Sequence, residues 1–191
     1  MSLKHALLGF LNYHPYTGYD LKAIFDRSVQ HFWAADQSQI YRTLGQIAEA
    51  GWAEIEVVTQ TERPDRKLYH ITEAGRRELK AWLTSPVPVE RPHSAPMVMV
   101  FFAGLLSNEE ALPLFEQAVA YAEGALAQYD TAPAVIAEYQ QEIGSEREAY
   151  FWNLTLELGR KTAEAQLAWA QGVVAALTSD EIPTDQEGAA P

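Results

Sequence analysis

The sequence contains no cysteine. A disulfide framework, a thiolate metal site and a cysteine nucleophile are therefore excluded, and the composition fits a reducing cytoplasm, the expected compartment. Long hydrophobic runs are also missing. The longest, Ala95 to Leu106, contains Pro96 and falls far below the about 20 residues that cross a bilayer, so no membrane partner is expected and the run is read as a buried core helix. The apolar run Ala6 to Leu11 is shorter than a signal-peptide core and has no small-residue cleavage site after it, so no export is expected.

Catalytic signatures are lacking as well. There is no G-x-S-x-G, G-x-G-x-x-G or P-loop, and the glycines are too scattered to cradle a phosphate. His5, His14, His31, His70 and His93 form no H-x-x-x-H pair and stand near no carboxylate cluster on a predicted helix. Neither an enzymatic activity nor a metal or other cofactor is expected.

Positive charge is scarce in only one part of the chain. A net charge of −12 argues by itself against a nucleic-acid partner, because affinity for a polyanion comes largely from lysine and arginine neutralising phosphates. Residues 1–92, however, hold eleven Lys/Arg against eleven Asp/Glu, whereas residues 93–191 hold three against fifteen. Two halves with different partners follow from that split. At 48% apolar and 21% charged residues, the chain has enough apolar side chains to bury a core in each.

The junction is marked by Thr84-Ser85-Pro86-Val87-Pro88-Val89-Glu90-Arg91-Pro92, where three prolines remove backbone donors and fix φ. We expect a first domain over 1–84, a linker over 85–93, a helical domain over 94–178 and a disordered polar tail over 179–191.

Local patterns fill in the first domain. Leu3 to Leu11 reads as a short helix ended by His14-Pro15, and Thr17 caps a second bearing Leu21, Ile24 and Phe25. Asp36 with Gln39 three residues on opens a third helix, with Ile40, Leu44 and Ile47 on one face and Gly51 just past its end. From Trp52 the period becomes that of strands, Ala53 to Thr59 and Leu68 to Ile71, and Thr72 caps a helix with Leu79, Trp82 and Leu83. Helix-helix-helix-strand-strand-helix is the order of a winged helix-turn-helix with a two-stranded wing.

The second half carries no strand signal, so the fold class is mainly α. Ser107-Asn108-Glu109-Glu110 is a capping box opening a helix to about Tyr129, and Ala134 to Leu177 supplies one or two more. The last segment is apolar around much of its circumference, with Phe151, Trp152, Leu154, Leu158 and Trp169 among others. One protomer cannot cover such a helix, which points to a homodimer.

A recognition helix turns one face to its own core and presents hydrogen-bonding side chains to the major groove. The third helix offers Ser38, Gln39, Tyr41, Arg42 and Thr43 from its first turns, where arginine can pair with guanine, glutamine with adenine, and hydroxyls with phosphate oxygens. Arg63, Arg66 and Lys67 surround Pro64 at the hairpin tip, where a wing would meet the DNA backbone. Trp152 presents a flat apolar face and one N–H donor. It suits either a dimer core or a small aromatic effector held between the winged helix and the C-terminal helices.

On Leu7-Leu8-Gly9-Phe10-Leu11, Thr17-Gly18-Tyr19-Asp20-Leu21, Gln39-Ile40-Tyr41, Leu44 through Gly51, Tyr69 through Gly75 and Trp82-Leu83, residues 3–84 resemble the PadR family of regulators, in its longer type. The second half resembles that family more loosely, through Leu158-Gly159 and Trp169. The resemblance implies a bacterial repressor-like protein in which Tyr41 contacts the DNA backbone and C-terminal helices exchange between protomers. One departure is that Arg42 stands where the family commonly has proline. The expected function is a dimeric repressor of transcription reading an inverted repeat in double-stranded DNA. A winged-helix module docking on another protein, without sequence-specific DNA binding, is the alternative.

Overall fold

A computed structural model describes residues 3–59, 65–87, 94–179, 181 and 182, and the chain divides into two compact units, residues 1–89 and 90–191. Most of the expected linker and tail lies outside the described residues.

The first unit runs α1 (Leu3–Tyr13), β1 (Tyr16–Thr17), α2 (Gly18–Arg27), one 3-10 turn (Val29–His31), α3 (Gln37–Glu49), β2 (Ala53–Val58), β3 (Arg66–Ile71) and α4 (Glu73–Leu83). Helices α2, α3 and α4 begin where short polar side chains satisfy free N–H groups of the first turn. At α2 the Thr17 hydroxyl accepts from the Asp20 N–H at 3.2 Å, and the Asp20 carboxylate in return accepts from the Thr17 N–H and hydroxyl. Asp36 and Gln39 make the same reciprocal pair at α3, at 2.8 and 3.0 Å. Thr72 caps α4 by accepting from the Gly75 N–H. Beyond α3 the chain reverses through Gly51 at φ +71°, a left-handed conformation that costs glycine little.

The strands form an antiparallel sheet in the order β1-β3-β2, with β2 and β3 in register from Ala53 opposite Ile71 to Val58 opposite Arg66. The sheet thus has three strands rather than the expected two. Its extra strand is only Tyr16 and Thr17, paired with Tyr69 and Leu68, too short to leave a period in the sequence. Leu7, Leu8 and Leu11 of α1, Leu21 and Phe25 of α2, and Ile40, Leu44 and Ile47 of α3 make one core with Tyr69 of β3. Each fully buried side chain of this kind contributes about 1.5–3 kcal/mol. Gly75 closes α4 against the sheet, since a β-carbon there would stand 2.2 Å from the Trp52 carbonyl oxygen.

The second unit is helical throughout its described residues: α5 (Ala95–Phe101), a 3-10 turn (Ala103–Leu105), α6 (Asn108–Ile143) and α7 (Glu146–Thr178). The Ser107–Glu110 capping box opens α6. That helix does not end near Tyr129 but continues through Pro133 to Gly144, whose φ of +71° makes the turn into α7. A proline inside a helix removes one hydrogen bond, and the partner helix offsets that loss. Phe115 meets Trp169, Asp130 meets Arg160, and Tyr139 meets Trp152, pairs that close on the turn from both sides, so α6 and α7 form an antiparallel hairpin about 50 Å long. The seam is made of small residues: Ala122, Ala163 and Ala170 are buried, and a β-carbon on Gly159 would fall 2.7 Å from the Tyr129 ring. Near the open end Ala111, Phe115 and Leu177 form a small cluster against which Val173 and Ile182 pack.

The segment Ala95 to Leu106 is not a buried core helix in the single chain. It forms α5 and the 3-10 turn, and Phe101 and Leu105 are more than 80% exposed. Seven helical residues held between a capping Ser94 and the turn present their apolar side chains outward.

Candidate nucleic-acid interface

Helix α3 divides cleanly into two sides. Ile40, Thr43, Leu44 and Ile47 are buried against α1 and α2, whereas Gln37, Ser38, Tyr41, Arg42, Gln46 and Glu49 are exposed. The open side is the one a recognition helix needs, and its exposed polar residues continue from the first turn to the last.

Not every residue expected to read DNA is free to do so. Thr43 is buried, with its hydroxyl donating to the Gln39 carbonyl at 2.7 Å, and this corrects its expected place on the open face. Helical geometry is the reason: Thr43 lies three residues after Ile40 and one before Leu44, on their side of the helix. Ser38 is exposed, yet its hydroxyl donates to Asp36 at 2.7 Å, and the Gln39 side chain accepts from the Asp36 N–H. Both are engaged in capping. The Ser38 hydroxyl and the backbone N–H groups around it hold the Asp36 carboxyl below the usual carboxylate range, so the cap is ionised at neutral pH.

Tyr41 remains partly open. Its ring lies over Gly18, the first residue of α2, which has no β-carbon to obstruct it. Tyr69, beneath, has its phenol pushed above the ordinary value by burial first and by nearby Tyr41 second. Arg42, one residue further along α3, is exposed.

The wing residues separate. Arg66 begins β3, and its guanidinium lies 3.4 Å from the carboxylate of Asp20, the residue that completes the α2 capping box. Lys67 is exposed on β3 opposite Val57. Arg63 lies outside the described residues, as does Pro64. Tyr41 and Arg66 are thus brought together at the N-terminus of α2 by contacts that no short motif records. Gln46 was not among the candidate residues, although its place one turn beyond Arg42 could have shown it.

Trp152 is half-buried in α7 and meets Tyr139 of α6 edge to face, with centroids 6.5 Å apart. Among the described residues no group of three His, Cys, Asp or Glu side chains is placed to hold a metal ion, and no helix is long and apolar enough to cross a membrane.

A three-helix core with one helix face left open, closed by an antiparallel hairpin, is a winged helix-turn-helix. Residues 7–81 match the PadR-like family of transcriptional regulators, and residues 94–178 match the virulence activator alpha C-terminal domain. It is 42% identical over 92 residues to a Mycobacterium tuberculosis protein named "Probable transcriptional regulator Rv1176c". That stretch is 48% of this chain and spans about half of the relative, 49%. Negative transcriptional regulator PadR of Bacillus subtilis is 25% identical over 179 residues, 93% of this chain and 98% of that protein. The crystal structure of Bacillus subtilis PadR in complex with operator DNA is similar with a TM-score of 0.77, covering 93% of this chain and 99% of that one. The Vibrio cholerae virulence activator AphA is similar with a TM-score of 0.70 at 27% identity, covering 94% and 99% of the two chains. The similar proteins are named as regulators of transcription, and none of these names is that of an enzyme.

Proposed function

We propose that the protein is a cytoplasmic repressor that binds double-stranded DNA as a homodimer, each α3 entering the major groove at one half of an inverted repeat. The observation that carries this reading is the open, polar side of α3 in a winged helix whose other side is fully committed to the core. Similarity to a regulator solved with operator DNA supports it, and that relative's name, a negative regulator, supports repression. A two-fold dimer would place its recognition helices about 34–36 Å apart, one helical turn of DNA.

Dimerisation is proposed through the second unit. Met97, Val98, Phe101, Phe102 and Leu105 near its start, and Phe151, Leu158 and Trp169 on α7, are exposed apolar side chains in the single chain. A second copy of the same surface supplies a self-complementary cover. Charge supports the division of labour, since the acidic second half repels a polyanion while the balanced first half can approach one.

Within the first unit, Tyr41 and Arg42 are proposed to contact DNA from α3, with Arg63 and Lys67 adding phosphate contacts from the wing. Ser38, Gln39 and Arg66 hold this surface in shape through the caps of α3 and α2. A small aromatic effector is proposed at the Trp152–Tyr139 pair, relieving repression.

Fluorescence anisotropy on duplexes from the region upstream of its own coding sequence tests the central reading. With three to four phosphate contacts per protomer, the log–log salt slope is expected at roughly −5 to −7. Replacing Arg63 and Lys67 by alanine should weaken all duplexes alike. Sequence-independent binding, or none, would favour a protein-docking module instead. In cells, a reporter behind the bound promoter should rise when the gene is deleted, and a fall would make the protein an activator.

A further inference from the structure

Once capping and core packing are accounted for, little of α3 is left to read a sequence. Ser38 and Gln39 serve the cap, Ile40, Thr43, Leu44 and Ile47 serve the core, and Tyr41 lies over Gly18. On the open side there remain Gln37 at the very start of the helix and, in its middle turns where both neighbours share one face, Arg42, Gly45, Gln46 and Glu49. Neither the Arg42 nor the Gln46 side chain makes a hydrogen bond to another described residue. Their spacing is i and i+4, so they project from successive turns of one face.

Gly45 sits between them. A glycine inside a helix is less stable than alanine, so its presence asks for a reason. Three glycines of this chain have one in a clash: β-carbons on Gly18, Gly75 and Gly159 would meet a neighbour at 2.2–2.7 Å. Gly51 and Gly144 have one in a positive φ. Gly45 has neither, since a β-carbon there would meet nothing within 4 Å among the described residues. Gly9, Gly104, Gly124 and Gly172 are equally open, so openness alone decides nothing. Gly45 differs in lying between two side chains whose chemistry suits base edges, on the face that the fold leaves bare.

We propose that Arg42 and Gln46 are the base-reading pair of α3, and that Gly45 lets the helix backbone seat close enough to the groove for both to reach. The inference rests on the DNA-binding reading above and adds the bases. Arginine pairs bidentately with O6 and N7 of guanine, and glutamine with N6 and N7 of adenine. Four helical residues span about 6 Å and successive base pairs about 3.4 Å, so each half-site should carry a G·C and an A·T pair about two steps apart. Glu49, one turn further, is a carboxylate that phosphates repel, and reading stops before it.

The test is selection of duplexes from a randomised pool by the full-length protein, followed by anisotropy on single-base variants of the winner. The wild type should enrich half-sites with that G·C and A·T spacing. Arg42→Ala should lose preference at the guanine alone and Gln46→Ala at the adenine alone. Each should weaken binding to the selected duplex by about 5- to 150-fold, and binding to scrambled DNA by much less, Arg42→Ala losing a little there because it removes a positive charge. Gly45→Ala should melt at a higher temperature than the wild type yet bind the selected duplex more weakly, a combination that a merely structural glycine does not produce. Circular dichroism confirms that each variant is folded. If the wild type enriches a sequence and the Arg42 and Gln46 variants enrich the same one with unchanged base preferences, the proposed pair is wrong while the DNA-binding reading stands. If the wild type enriches no sequence, the DNA-binding reading fails and this proposal with it.

Discussion

A β-carbon added to Gly18 would stand 2.6 Å from Cε1 of Tyr41, so the first residue of α2 is the floor on which an exposed ring of α3 rests. The contact joins two elements whose relative position sets the open face of α3. Because Tyr41 is 43% exposed, its ring can swing outward instead of straining the backbone. Gly18→Ala should therefore cost little stability, about 1 kcal/mol or less in urea unfolding, while weakening DNA binding through the displaced ring. A variant that binds as the wild type does would show that the position of Tyr41 is immaterial.

A second relationship makes stability depend on pH. His5 of α1 is 5% exposed, stacks on Trp82 of α4 with centroids 4.4 Å apart, and shares a hydrogen bond with Glu78 at 3.1 Å. Its Nδ1 is buried and has no partner among the described residues. With Nε2–H donating to the carboxylate, Nδ1 is a bare acceptor, and protonating it would bury an unsatisfied donor. Burial accordingly lowers the imidazole below its ordinary 6.5, and hydrogen bonds from Lys4 and then His5 lower Glu78 below 4.5. Both groups contribute stability that is fully present above their unfolded values and lost as pH falls through the folded ones. Thermal melts from pH 7.5 down to 5 should show a decline that His5→Phe, which keeps an aromatic ring against Trp82, makes shallower. An equal slope in both proteins would rule out His5 as its source.

In the α6–α7 hairpin Gly159 faces the ring end of Tyr129, a half-buried side chain of the opposite helix. A β-carbon there meets Cζ and the hydroxyl of Tyr129 at 2.7 Å, and the ion pair of Arg160 with Asp130 lies beside it. Gly159→Ala should cost about 1–3 kcal/mol by displacing the Tyr129 ring from the seam. Adding Tyr129→Phe should recover part of that, because one of the two atoms in the way is removed. Denaturant unfolding of the single and double variants gives the coupling directly.

The proposed dimer can be tested without disturbing the fold of the single chain. Phe101 and Leu105 are 81% and 84% exposed in the single chain, so replacing each by aspartate should leave the fold intact. At a self-complementary interface each replacement is introduced twice, opposite an apolar neighbour. Sedimentation of Phe101→Asp/Leu105→Asp at micromolar concentration should shift from dimer to monomer, with operator affinity falling because the two half-sites are uncoupled. A double variant that remains dimeric would move the interface elsewhere on the unit.

Much of the candidate site was legible before any coordinates. Thr17, Asp36, Thr72 and Ser107 each cap the helix expected of them, because a cap is decided by side chains three residues apart. The open side of α3 was legible from Ile40, Leu44 and Ile47, and the same geometry places Thr43 inside and Gln46 outside. Other features left no local trace. Tyr16 and Thr17 become a strand only because β3 arrives beside them, and Arg66 pairs with Asp20, 46 residues earlier in the chain. The passage of α6 through Pro133 is similar, since the sequence around a proline signals an ending and only packing along α7 overrides it.

By itself, the sequence determined the kind of elements, their order, their caps and the division of charge between two halves. All of these depend on neighbours within about one helical turn or on simple counting. Tertiary structure alone decided which of the polar residues stay free. It tied Arg66 to α2, laid Tyr41 on Gly18 and set Tyr129 against Gly159, whereas it left Arg42 and Gln46 uncovered. The physical reason is that a side chain's partners are chosen by whichever distant segments packing brings within hydrogen-bond or van der Waals reach, and no pattern local to that side chain encodes them.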